Sequence, residues 1–503
     1  MSNDPSKSAN RQGPPRMRVP ANVQFTSSYK TQPRPPREGV DPAAPGVAEV
    51  AAKAPPAAVR VTGENPVISR PPPPQTQKPK RVRREPAQWI PRQPRTWEEL
   101  GIDPVMAMHL VMRFMLGKQG VSGKQISQET CLTLSLIKDV MNHLKQEKLV
   151  NHRSTTALGD FISELSEVGY EKTMDTRKIT TYVGACPVPW EQYLKSVEAQ
   201  KLSGFNPGEE ELRHAFRDLQ ISEDLLDRLG PAVTSTKPLF LFGYPGNGKT
   251  SLAERMTRCF GDTLWIPRTL SIGSHLVKFY DPAIHVEVDN DPKVLAQARV
   301  DGRWVQIKRP TVVAGGELTL EQLEVQIDES SNVHEAPLHL KANCGTMVVD
   351  DFGRGKTDPK ELLNRWIFPL EKQIDFLRLP DGRKFACPFE CMLVFSTNLE
   401  PKDLADEAFL RRIPYKVHVG DPDEIEYAEL MEKLAEKMGV TLTRGSVKYL
   451  IERHYKMAKR PMRFCHPRDL LLQVVHLCEY QGREVKAGPP EWDRVTANYF
   501  GLA

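Results

Sequence analysis

The densest concentration of chemistry-bearing residues is Gly243-Tyr244-Pro245-Gly246-Asn247-Gly248-Lys249-Thr250, which follows a short apolar run at 239–242 and opens a helical stretch at 251–259. A G-x4-G-K-T loop between strand and helix is suited to holding phosphates. Its glycines let successive backbone N–H groups converge on the anion, and the helix N-terminus adds positive potential. Lys249 is expected to reach the β- and γ-phosphates, Thr250 to ligate Mg²⁺ through its hydroxyl, and Ser251 to carry the loop into the helix. A second apolar run, Thr346-Met347-Val348-Val349, ends in Asp350-Asp351. Acids at the carboxyl end of a buried strand lie where ligands bind in open α/β sheets. Asp350 is expected in the Mg²⁺ shell and Asp351 at the position that orients an attacking water. A third run, 392–395, ends in Ser396-Thr397-Asn398.

From these residues onward the chain resembles the AAA+ ATPases. The resemblance covers roughly residues 205–500 and implies ATP with Mg²⁺, hydrolysed to ADP and phosphate. It gives Asn398 the family's first-sensor role, beside the water. It makes Arg411 and Arg412, in Asp406-Glu407-Ala408-Phe409-Leu410-Arg411-Arg412, arginine-finger candidates acting on a neighbouring subunit. Arg468, in His466-Pro467-Arg468, becomes the second-sensor candidate, with Arg463 as the other choice. The family usually has Glu where this chain has Asp351, one methylene shorter, so water activation is expected to be slower or geometrically adjusted. The resemblance also implies a homo-oligomeric ring, a hexamer. Two strand-like runs around Pro380-Asp381-Gly382-Arg383 read as a hairpin ahead of Asn398. Such a hairpin is typical of the branch containing MoxR-type ATPases, and Arg378, Arg383 and Lys384 on it would face a pore or serve as scaffold. The layout is similar to bacterial predicted ATPases with chaperone activity, which implies a cytoplasmic remodelling motor.

The expected fold class is α/β: a P-loop parallel sheet over 208–420 and a helical lid over 421–503, with a small winged-helix domain over 97–182 and a linker over 183–207 before them. The winged-helix reading rests on helical apolar spacing at 103–116, a short helix near 123–130, a longer amphipathic helix at 132–148, and strand-like runs at 149–152 and 161–165. The phrase Leu165-Ser166-Glu167-Val168-Gly169-Tyr170-Glu171 resembles the strand-to-helix exit of many bacterial winged-helix proteins. Lys138, Lys145 and Lys148 against Asp139 and Glu147 leave the second helix nearly neutral, weak for a DNA reader, so protein docking and DNA binding both stay open. Between Lys249 and Asp350, 304–307 and 311–313 suggest an inserted hairpin. Phe279 and Tyr280 are candidates for gripping a threaded chain or for the core. His334 and His339 look isolated and structural. Arg365 is a further interface candidate.

Residues 1–96 hold 20 of the 43 prolines, and 17 Lys and Arg against 6 Asp and Glu. A segment of this composition buries too little apolar surface to offset its chain entropy and reads as a disordered tail, with a basic cluster at 78–84. Residues 97–503 then carry 52 Lys and Arg against 58 Asp and Glu, so the body is acidic and the net +5 belongs to the tail. No apolar run is long enough to cross a membrane and no secretory signal opens the chain, so membrane insertion is not expected. The eight scattered cysteines, including the C-x3-C pair Cys387/Cys391, read as reduced thiols. A protein client is the first expectation and nucleic acid a possible partner. The Gly-Ala-Phe-Thr-Gly-Ala loop of alternative-sigma-factor activators is absent from the sequence.

Overall fold

The structure, a computed structural model, describes residues 89–155, 160–329 and 331–501. The tail over 1–88 lies outside the described residues, as does its basic cluster. Its expected C-terminal end does not hold: 89–96 pack onto the body, with Pro91 and Pro94 buried and Trp89 edge-to-face with Trp304 at 5.0 Å.

The first module carries helices Pro104–Met115, Gly123–Thr130 and Leu134–Gln146 and a sheet of Val121–Ser122, Phe161–Leu165 and Val150–Thr155 in that order, all antiparallel. Local chemistry sets each helix start. Asp103 accepts from the Val105 N–H ahead of Pro104, Ser122 and Gln125 form a capping box, and Thr133 caps Leu136. Leu110, Val111, Ile126, Leu136, Ile137, Val140 and Leu144 form the shared core. The following helix, Glu167–Ile179, sits so close to this core that a Cβ on Gly169 would lie 1.9 Å from the Leu149 carbonyl oxygen, so only glycine fits there.

The central sheet has five parallel strands: β1 Leu239–Phe242, β2 Thr311–Ala314, β3 Thr346–Val349, β4 Met392–Thr397 and β5 Tyr415–His418. Their order is β2-β3-β4-β1-β5. The three inner runs, β1, β3 and β4, are buried on both faces because both faces are covered. Leu239, Leu241, Val348 and Val394 pack into one core, and Phe240, Met347, Val349 and Phe395 into the other. Register pairs Val349 with Phe395 and Thr397 with Phe242, which aligns the carboxyl ends of β1, β3 and β4 on one edge.

The inserted hairpin expected from 304–307 and 311–313 is not formed. Trp304–Lys308 pairs antiparallel with Thr263–Pro267, while β2 joins the central sheet beside β3. Only Arg309-Pro310 separate the two runs; a type I′ turn needs positive φ at both positions and a type II′ turn at the first, which proline cannot and Arg309 does not adopt. A second sheet, including Thr269–Ile272 and His275–Lys278, fills the rest of the insertion. Phe279 is 1% exposed there and packs against Tyr193, so it is a core residue rather than a gripping one.

The stretch expected as a linker is part of the body. Helix Trp190–Gln200 buries Tyr193 and Val197, and the Gln200 amide exchanges hydrogen bonds with the Trp265 backbone. Ile374–Arg378 and Lys384–Pro388 form the expected antiparallel hairpin ahead of β4. Helices Glu424–Met438, His466–Gln481 and Pro489–Phe500 pack around Tyr427, Tyr455, Leu470 and Trp492. No helix among the described residues is long and apolar enough to cross a membrane, and all eight cysteines are free.

Candidate functional site

The loop after β1 turns through Gly243, Gly246 and Gly248, all at positive φ, and enters the helix Lys249–Met256. A Cβ on Gly243 would lie 2.3 Å from the Val419 carbonyl oxygen, so the loop starts hard against the end of β5. The Lys249 side chain folds back over the loop. Its Nζ donates to the carbonyls of Gly243 and Tyr244 at 3.0 Å each, and to Asn398 Oδ1 at 2.5 Å. Burial lowers the pKa of this amine, and the nearby Asp350 and Asp351 oppose that shift. The Thr250 hydroxyl donates to Asp350 Oδ2 at 2.7 Å. Asn398 Nδ2 faces Asp351 Oδ1 at 3.4 Å. Asp351 itself is exposed and sits at φ 49°, a left-handed position that short polar side chains tolerate better than most. Residues separated by up to about 150 positions in the chain thus meet at the carboxyl ends of β1, β3 and β4.

The lid closes one side. The Cys465 N–H donates to the Gly246 carbonyl at 2.9 Å. The Arg463 guanidinium lies 4.4 Å from the centre of the Tyr244 ring and pairs with Asp421, which also accepts from Asn247 Nδ2 at 2.7 Å. Of the two lid arginines, Arg463 therefore reaches the loop. Arg468, the expected one, is turned to its neighbour Asp469 at 3.1 Å with its side chain 67% exposed. The physical reason is local: Arg463 lies just ahead of the segment that bonds to Gly246, whereas Arg468 is inside the helix His466–Gln481 beside an acid. Asp421 went unrecognised in the sequence. Its signal was its place just past the carboxyl end of β5, the same rule that located Asp350.

Arg411 is exposed and has no side-chain partner among the described residues, whereas Arg412 pairs with Glu371 at 2.5 Å. Arg365 is internal, holding both oxygens of buried Asp375 at 2.7 and 2.8 Å as well as Glu324, so it is not an interface residue in this structure. His339 is fully buried and not isolated, with Nε2 3.0 Å from Asp375. His339, Asp375 and Cys387 come close enough to share a cation, yet Arg365 already engages both carboxylate oxygens. His334 is likewise partnered, by His275 at 3.0 Å, and His275 in turn reaches Asp381 on the hairpin turn at 2.7 Å. Arg383 pairs with that same Asp381, while Arg378 and Lys384 are exposed and directly opposite each other across the hairpin.

The parts that would hold a nucleotide and its cation fit one another. The buried Lys249 amine, the hydroxyl–carboxylate contact and the loop backbone share one edge of the sheet. A family described only as a domain of unknown function, DUF8689, matches residues 423–498, the helical end of the chain. Spastin from Anopheles gambiae is 25% identical over 246 residues, which is 49% of this chain but only 24% of that protein's length. Among solved structures, NtrX from Brucella abortus in complex with ATP aligns at 14% identity over 55% of this chain and 57% of its own, with a TM-score of 0.34. The RuvB Holliday junction branch migration motor from Thermotoga maritima aligns at 13% identity over 61% and 74%, with a TM-score of 0.31. The chain thus spans about a quarter of the length of the curated relative it matches.

Proposed function

We propose that this chain is an ATP-hydrolysing motor that assembles into a ring and remodels protein clients. The observation carrying the reading is the meeting of Lys249, Thr250, Asp350, Asp351 and Asn398 at one edge of the parallel sheet. In this reading Lys249 exchanges its loop carbonyls and Asn398 for the β- and γ-phosphates. Gly243 to Ser251 cradle the anion with backbone N–H groups. Thr250 and Asp350 hold Mg²⁺, which supplies charge neutralisation on the phosphates. Asp351 and Asn398 orient the attacking water, and Arg463 reads the nucleotide from the lid side. Arg411 is the finger for the neighbouring subunit, because it alone of the arginine pair is uncommitted in its own chain.

A protein client is favoured over a duplex reader by the 97–182 module. Its arrangement supports a winged-helix reading, but the helix Leu134–Gln146 carries Lys138 and Lys145 against Asp139, a weak basic face for a groove. Capture by an Asp351→Asn variant under ATP tests the client class. ATP-dependent recovery of protein clients that survives nuclease treatment supports the reading, and recovery of nucleic acid with no protein client overturns it. ATPase activity in wild type that disappears in Lys249→Ala tests the hydrolysis itself.

A further inference from the structure

A cleft of about 830 Å³ lies where the segment 89–95, the helix Trp190–Gln200 and the insertion meet, away from the phosphate loop in sequence and assigned no role above. Its frame is backbone. Gln93 N–H donates to the Arg299 carbonyl at 2.9 Å and Asp301 N–H to the Pro91 carbonyl at 3.1 Å, while Trp89 rests against Trp304. Its floor is neutralised: Arg303, 1% exposed, pairs with Asp301 at 2.8 Å and also donates to Pro187 and Gln192. Its rim is not. Arg92, Arg95, Lys195 and Arg299 are all exposed lining residues, and none has an ion pair among the described residues. Arg299 is held at φ 51°, an unfavourable backbone region for arginine. The only other carboxylate in the lining is Glu99, which accepts the Arg95 N–H at 2.6 Å.

Four exposed cations without ion-pair partners, against the single carboxylate of Glu99, give this concavity a net positive charge that favours an anionic occupant. Arginine forks match phosphate oxygens. Half-buried Trp89 adds a flat ring to the lining, and an acidic peptide would satisfy the cations without supplying a ring to stack on it. A strand of bases joined by phosphates supplies both, the combination by which single strands are held without sequence preference. We propose that this cleft binds single-stranded nucleic acid, with Arg92, Arg95, Lys195 and Arg299 on the phosphates and Trp89 against a base. The site goes beyond the motor reading and is independent of it, since binding is read without ATP.

The test uses the full chain and a fluorescently labelled 20-nucleotide oligothymidylate, measured by anisotropy at several salt concentrations. Wild type is expected to bind with quenching of tryptophan emission. Arg92→Glu with Arg299→Glu should weaken binding at least tenfold at low salt and reduce the salt slope by about 1.4, roughly 0.7 per lost phosphate contact on a single strand. Trp89→Phe should remove most of the quench. If the double variant melts early, Lys195→Gln with Arg95→Gln, both exposed, should still weaken binding several-fold. Replacing Lys78, Lys80, Arg81, Arg83 and Arg84 by alanine separates the tail from the cleft and should leave the quench in place. Unchanged affinity and salt slope in both cleft variants overturn the proposal. So does loss of the quench on tail substitution alone, or polyglutamate binding as tightly as the oligonucleotide.

Discussion

Lys249 Nζ donates to Asn398 Oδ1 at 2.5 Å across 149 residues of sequence, so the phosphate-loop cation and the residue expected beside the water are joined directly. This bond and the two to loop carbonyls keep the buried amine satisfied, and the proposed triphosphate would have to outcompete all three. Removing the amine and removing Asp351, the acid proposed to orient the water, should therefore fail differently. Lys249→Ala should weaken ATP binding by about 10–100-fold, the worth of one or more charge-assisted bonds. Asp351→Asn should retain binding and lose about 10²–10⁴-fold in turnover. Asparagine also tolerates the left-handed backbone at 351, so the fold is not the casualty. Equilibrium binding of a fluorescent ATP analogue and steady-state ATPase separate the two. Joint loss of binding and turnover in Asp351→Asn would remove it from the water.

The contact between lid and loop rests on one glycine. Gly246 is at φ 85° and a Cβ there would lie 2.6 Å from Cys465 Sγ. Gly246→Ala should push the segment holding Arg463 and Cys465 off the loop and weaken nucleotide affinity. Adding Cys465→Ala should recover the steric part but not the backbone strain, a coupling of about 0.5–3 kcal/mol in a double-mutant cycle. Additive losses would mean that the two residues do not press on each other.

The start of the folded body is measurable. A chain beginning at Trp89 keeps the packing of Trp89 on Trp304 and the bonds from 91 and 93, whereas one beginning at Trp97 loses them. The shorter chain should melt several degrees lower, from about 1–3 kcal/mol of lost apolar burial and hydrogen bonding. Equal melting temperatures would make the segment a passive passenger.

Acid should loosen the helical end. His466 lies within a buried chain, Tyr427 to Tyr455 at 2.8 Å and Tyr455 to His466 Nδ1 at 3.1 Å. Burial, aided by Arg463, lowers its pKa to about 4 from 6.5. Between those values the unfolded chain takes up the proton and the folded one does not, so stability falls as pH drops from 6.5 toward 4. His466→Gln should flatten that part of the pH profile of melting temperature, whatever it does to the absolute value.

The parts of the site that were legible in sequence are those fixed by local chemistry. The loop from Gly243 and the acid Asp350 each directly follow an apolar run, and Asn398 lies three residues past another, so runs buried on both faces deliver the polar residues after them to the sheet edge. Pairing over long distance was less legible. Both 304–307 and 311–313 read correctly as strands, but their partners, 263–267 and β3, lie far off in the chain. The segment 89–96 looked like tail because its two prolines match the composition upstream, whereas what anchors it is Trp89 meeting Trp304. The choice between Arg463 and Arg468 turned on which side of a helix start touches Gly246, and spacing alone carries no such information.

The last prediction separates Arg411 from Arg412. Arg412 is engaged by Glu371 of its own chain at 2.5 Å, so reaching a neighbour's phosphate would mean giving up that pair. Arg411, one residue earlier and exposed, gives up nothing. If Arg411 completes a neighbouring active site, ATPase per subunit should rise with protein concentration as rings form. Arg411→Ala should then lower turnover by about 10³-fold or more, the scale of such fingers, with ATP binding intact. Arg412→Ala should act mainly through stability, and Glu371→Gln should mimic it, which no finger role predicts. Mixing wild type with Arg411→Ala at fixed total protein provides the decisive measurement, with light scattering to follow assembly. Mutant neighbours leave wild-type pockets unfinished, so activity should fall below the wild-type fraction. Proportional activity in demonstrably mixed rings would return Arg411 to the surface.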